Sequence, residues 1–191
     1  MPVKLDVPSP WGQFLVEVNQ SFSSPIEIHC SGGFVLTVLY GIPRTTSDLD
    51  YISTVPNSAA EKLQTLAGPG SQLARKYKVH FQHAGGVTDL PEDYPQRLVS
   101  LKLGLSKLTL KVLDPYDLVL SKLTRNSPKD REDVRAIAAK LNLSFLTLKN
   151  RFDQEMRPWV ANAERHELTL TIWGEYFKDF VPTKQRIEET H

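Results

Sequence analysis

A single cysteine, Cys30, stands in 191 residues, so neither an internal disulfide framework nor a cysteine-built zinc site can hold this chain together. No apolar run comes near the roughly 20 residues needed to span a bilayer. An excess of one charge is missing too. The 23 lysines and arginines nearly cancel 22 acids, leaving +1 and no global attraction to nucleic acid. The opening residues lack the pattern of a secretory leader, and together with the lone thiol this sets the expectation of a reducing cytoplasm. What is present is a globular composition, 40% hydrophobic and 24% charged. The length suits one domain, or a catalytic core with a short helical extension, and buries a core without staples. Basic residues gather locally, in 102–111 and 122–135.

Apolar spacing changes along the chain. Phe14, Leu15 and Val18 recur at helical intervals between Trp11 and Phe22. Residues 26–30 alternate as a short strand, and Ser31-Gly32-Gly33 then turns into the apolar run 34–40. The glycines after a strand predict strand, turn, helix. A polar connector, 42–47, leads into a strand from Asp48 to Ser53. Helices are expected at 57–66 and 72–77, strands at 78–83 and 108–113, and a loop over 85–95. Beyond Asp114 the period is helical throughout, at about 116–125, 128–141, 144–157 and 164–178. The order predicts an α+β core over residues 1–113 and a helical C-terminal part over 114–191.

The chemistry concentrates in two places. Asp48 and Asp50 are two apart on a predicted strand, so their carboxylates leave the same face. Like charges so close repel each other unless a divalent cation lies between them. Magnesium, or manganese in its place, takes oxygen ligands of this kind together with substrate phosphates. Upstream, Gly32 and Gly33 permit close backbone approach, and the amides of the following helix can receive phosphate. Arg44, with Thr45, Thr46 and Ser47, runs straight into Asp48 and offers donors to phosphate oxygens. Each piece alone has an ordinary reading: a tight turn, a surface arginine, two solvated acids. Their order gives them weight.

Ser31-Gly32-Gly33-Phe34 through Gly41, followed by Arg44-Thr45-Thr46-Ser47-Asp48-Leu49-Asp50-Tyr51, resembles the signature of polymerase-beta-fold nucleotidyltransferases. More narrowly, it is similar to the bacterial branch holding the AbiEii and MenT-type toxins of toxin–antitoxin systems. The resemblance resumes at Asp117–Leu123 and Lys129–Val134, four blocks in order over residues 31–134. It implies a mixed sheet flanked by helices and a cytoplasmic enzyme that moves a nucleoside monophosphate from a triphosphate to an acceptor hydroxyl. Ser31, Gly32, Gly33, Arg44 and Ser47 would bind nucleotide, and Asp48 and Asp50 the metal. Lys122 and Asp130 would complete the catalytic set. It further implies a tRNA 3′ end as acceptor and an antitoxin protein as partner.

The second half has its own physical signals. Lys122 falls within the apolar arc of its predicted helix, where a lysine must snorkel or meet an anion. Ser127-Pro128-Lys129-Asp130 reads as a helix cap, yet Asp130 also lines up with Val134, Ile137 and Leu141 on the buried stripe. The family resemblance points to Asp130 first and Asp133 second. One departure stands out: the strand 78–83 carries no third carboxylate to activate an acceptor. His80 and His83 on that strand, or Asp89, Glu92 and Asp93 in the next loop, are the substitutes. Lys102, Lys107 and Lys111 suit RNA phosphates or simply a solvated face. The rival expectation is a catalytically inactive module that binds nucleotide or a partner protein.

Overall fold

The computed structural model describes residues 7–86 and 88–180. The chain divides into two compact units, one of Met1–Val87 with Pro95–Asp114, the other of Thr88–Tyr94 with Pro115–His191.

The first unit is built on a five-stranded mixed sheet. Its strands are β1 (Ile26–Cys30), β2 (Asp48–Val55), β3 (His80–His83), β4 (Val99–Leu101) and β5 (Leu108–Val112), in the order β3-β2-β1-β5-β4. β1 runs antiparallel to β2 and parallel to β5, β2 is parallel to β3, and β4 is antiparallel to β5. One face is apolar because the strands alternate: Ile28, Cys30, Leu49, Tyr51, Phe81, Leu110 and Val112 are all buried. Helices α1 (Trp11–Ser21), α2 (Gly32–Val38), α3 (Ala59–Ala67) and α4 (Gln72–Tyr77) belong to the same unit. Their apolar stripes, Phe14, Leu15 and Val18 on α1 and Leu63 on α3, are buried with it. Phe14 stacks on Phe81 at 5.7 Å, and Tyr51 meets Phe81 edge-on at 6.2 Å. Phe81 is therefore a keystone of this core. Its truncation to alanine is expected to cost about 3–5 kcal/mol, read as a shifted midpoint in urea unfolding.

The opposite sheet face is polar. Asp48 and Asp50 lie on it, alternating with buried Leu49 and Tyr51. Between His29 and Cys30 the β1–β2 register slips: His29 faces Ser53, while Cys30 faces Tyr51. This bulge leaves Ile52 without a Cα partner and reverses the phase of β2. Ser53 thereby comes onto the polar face, opposite His29.

The second unit is helical: α6 (Pro115–Leu120), α7 (Pro128–Leu141), α8 (Phe145–Glu155), α9 (Ala163–Trp173) and a 3-10 turn, Gly174–Tyr176. α7 begins with a complete capping box, Ser127 and Asp130 each bonding the other's backbone N–H, with Pro128 at its start. Val134, Ile137, Leu148, Phe152, Leu170 and Trp173 form its core. Of the aromatic tail residues, Trp173 and Phe177 are inside, whereas Trp159 is exposed.

The α+β architecture with a mixed sheet and a helical C-terminal part agrees with the sequence expectation. Two details differ. α6 stops at Leu120 instead of reaching 125, so Lys122 sits in the tight turns that follow, its amide bonded to the Val119 carbonyl at 3.1 Å. The segment expected to be only loop is followed by α5 (Tyr94–Arg97) and β4. Among the described residues no helix is long and apolar enough to cross a membrane.

Candidate active site

The carboxylate pair and the glycine turn meet within the first unit. Gly32 has φ +76°, a left-handed conformation that glycine adopts without steric cost. A Cβ placed there would fall 2.0 Å from Oδ2 of Asp50 and 2.8 Å from its Cγ. The missing side chain is the space Asp50 occupies. The Ser31 amide donates to the Asp50 carbonyl at 2.9 Å, tying the turn to β2. Gly33 is bare for a related reason: a Cβ would stand 2.9 Å from Nε of Arg44 and 3.2 Å from Thr46. Arg44 thus lies across the second glycine, and its strand-side neighbour Thr46 donates its hydroxyl to the Asp48 carboxylate. Thr37 on α2 closes the ring by donating to the carbonyls of Gly33 and Arg44 at 3.1 and 3.3 Å.

Ser31, Gly32, Gly33, Arg44, Asp48 and Asp50 are therefore one cluster. Ser47 is the outlying member. It is exposed, and its carbonyl accepts the His80 amide at 3.0 Å.

Whether this cluster suits magnesium is decided by its donors. Asp48 and Asp50 are half-buried on one face, and among the described residues no third His, Cys, Asp or Glu converges on them. Magnesium binds through one or two carboxylates and fills its remaining positions with water and phosphate, so the pair fits it. When bound, such an ion would neutralise charge on the triphosphate and on the departing pyrophosphate.

β3 separates the two histidine candidates. Its register puts His80 beside Asp48 and Gln82 beside Asp50, on the carboxylate face. His83 pairs with Tyr51 and lies against its ring, 5.0 Å between centroids, on the other face. Strand alternation separates the two histidines, and His83 is excluded as a proton acceptor at this pair. Asp89 is committed within the second unit, where its Oδ2 accepts from Thr124 at 2.9 Å and lies 3.1 Å from His166 Nε2.

The second unit holds Lys122 and Asp130 together in a buried charge cluster. Lys122 is 5% exposed and Asp130 fully buried. The ammonium donates to Asp133 at 2.7 Å and to Asp130 at 3.4 Å. Arg125 forks onto Asp130 with bonds of 2.7 and 2.6 Å, and Ser127 adds its hydroxyl and amide. Burial alone would raise the Asp130 pKa. Arg125, Ser127 and Lys122 outweigh it and hold this carboxyl far below the usual carboxylate range. Both readings of Asp130 apply, since it caps α7 and faces Lys122. Asp133, ranked second from sequence, makes the shorter bond to the lysine. Arg125 and a further buried pair, Asp117 with Arg151 at 2.8 Å, drew no notice in sequence because a surface arginine looks the same.

A mixed sheet with a carboxylate pair on one strand, seated against a glycine turn from the preceding strand, is the arrangement of the nucleotidyltransferase class. The chain belongs to the family described as nucleotidyltransferase of unknown function (DUF6036), which matches residues 20–181 and so spans every residue of both clusters. No curated protein and no solved structure matches it.

Proposed function

We propose that this chain transfers a nucleoside monophosphate from a nucleoside triphosphate to an acceptor hydroxyl. One observation carries the reading: Asp50 fills the space left by the absent Gly32 side chain, so the carboxylate pair and the phosphate-receiving turn act on the same ligand. Asp48 and Asp50 hold magnesium or manganese. Gly32, Gly33, Arg44, Ser31 and Ser47 receive the triphosphate through backbone and side-chain donors. Within the second unit, Asp130 and Asp133 fix the Lys122 ammonium. A carboxylate as saturated with donors as Asp130 is a poor proton acceptor, so its part is positioning. The resemblance to AbiEii and MenT-type toxins supports a tRNA 3′ end as the acceptor, growth arrest as the outcome and an antitoxin as the partner.

Purified protein incubated with labelled triphosphates, magnesium and total tRNA tests this. Label should appear on RNA with wild type and fall to background, a loss of at least about 1,000-fold, in Asp48→Ala. The second reading is an inactive nucleotide-binding module, favoured because the residues paired with the acids on β3, His80 and Gln82, are not carboxylates. It prevails if triphosphate binds but no acceptor, RNA or protein, gains label.

A further inference from the structure

The polar sheet face carries a second constellation that the nucleotide site does not use. Ser53 Oγ lies 3.0 Å from Nδ1 of His29. The other ring nitrogen, Nε2, lies 2.8 Å from Oε1 of Glu27, and Oε2 of Glu27 lies 2.9 Å from the Lys111 ammonium. His29 is 7% exposed, so water has little access to its ring. Glu27 can only accept from Nε2–H, which leaves Nδ1 as an acceptor facing the serine hydroxyl. Nucleophile, base and orienting carboxylate stand in order, the arrangement that activates a serine hydroxyl. Alternation alone would turn Ser53 away from Asp48 and Asp50. The bulge at His29–Cys30 brings all three onto one face.

We propose that Ser53 is itself an acceptor for nucleotidyl transfer, activated by His29 and Glu27, so that the protein modifies its own chain. This rests on the transfer activity proposed above. Ser53 Oγ forms a bond to the α-phosphorus of a nucleoside triphosphate while the bond from that phosphorus to the β-bridging oxygen breaks. Pyrophosphate leaves with the electron pair, and the hydroxyl proton passes to Nδ1 of His29. The product is a nucleoside monophosphate ester of Ser53. Ser53 lies three residues along β2 from Asp50, across the bulge, and so stands apart from the carboxylate pair along the strand. With donor site and acceptor apart on one strand, the transfer is assigned to two copies of the chain, one holding the triphosphate and the other presenting Ser53.

The test mixes two full-length variants of distinguishable mass with each triphosphate and magnesium, then localises added mass by peptide sequencing. Asp50→Asn keeps the serine but lacks the transferring site; Ser53→Ala keeps that site but lacks the acceptor. Expected is one nucleoside monophosphate on Ser53 of the Asp50→Asn chain and none on the Ser53→Ala chain. In wild type alone Ser53 should be modified, and His29→Gln should slow this about 100-fold while transfer to RNA changes little. Modification elsewhere, or an unmodified Ser53 while RNA is labelled by the same preparation, overturns the inference and leaves the transferase reading standing. Absence of transfer to any acceptor overturns both. Localisation in wild type needs no substitution, so a poorly folded variant does not obscure the result.

Discussion

Gly32→Ala is expected to abolish nucleotidyl transfer as completely as Asp48→Ala, although it removes no functional group. Two costs fall on one methyl. The residue has φ +76°, where an L side chain is strained by roughly 1–2 kcal/mol. The new Cβ would also meet Oδ2 of Asp50 at 2.0 Å and its Cγ at 2.8 Å. Since Cγ and Cβ, at 3.0 Å, are crowded too, rotating the carboxylate alone does not relieve the contact. Asp50 must leave its place beside Asp48, and the pair no longer presents both oxygens to one cation. Stability should fall by about 1–3 kcal/mol and transfer by at least about 1,000-fold, measured by urea unfolding and by label incorporation. Serine at the same position should behave alike, because the cost lies in Cβ. A Gly32→Ala protein that transfers at more than a tenth of the wild-type rate would show that the turn and the pair do not serve one ligand.

That site was largely legible in the sequence because its parts obey local rules. Two acids at spacing two on a strand share a face wherever the strand goes, and glycines between a strand and an apolar run report a tight approach before any partner is known. What approaches Gly32 was not legible, since Asp50 reaches it through β1–β2 pairing, a non-local event. The bulge lies in the same blind spot. Nothing in Cys30 or Ile52 announces a register slip, and without it Ser53 reads as a residue of the other face. β4, three residues with only Leu101 buried, is too short to show alternation. The choice between His80 and His83 needed only the strand period, once the buried face was known to hold Phe81. In the helical part, periodicity placed Lys122 and Asp130 inside but could not pair them. The lysine comes from turns beyond α6 and the acids from α7, and burial of three charges is satisfied only when those segments pack.

Lys122→Met is expected to be the most destabilising single change in the helical unit, costing about 3–5 kcal/mol near neutral pH. Methionine matches the volume and stem, so the loss is electrostatic: Asp133 stays buried after losing its 2.7 Å ammonium partner, and removing one member of a buried pair costs about that much. Asp130 suffers less because Arg125 and Ser127 remain. The double change Lys122→Met with Asp133→Leu should recover much of the loss, since no lone charge is then left inside.

The pH dependence fixes the sign. In wild type the Asp130 carboxyl is depressed below its ordinary 3.8, so the stability it contributes is fully present above that value. It is lost as pH falls through the lower folded value. Lys122 supplies part of that depression, so in Lys122→Met Asp130 contributes less and has less to lose as pH falls. That difference in the Lys122 share closes the gap between the proteins on the acid side. Unfolding free energies should therefore differ most near neutral pH and converge as pH falls below the ordinary 3.8 of Asp130. A constant difference across that range would mean that the lysine stem, and not its charge, supports the fold.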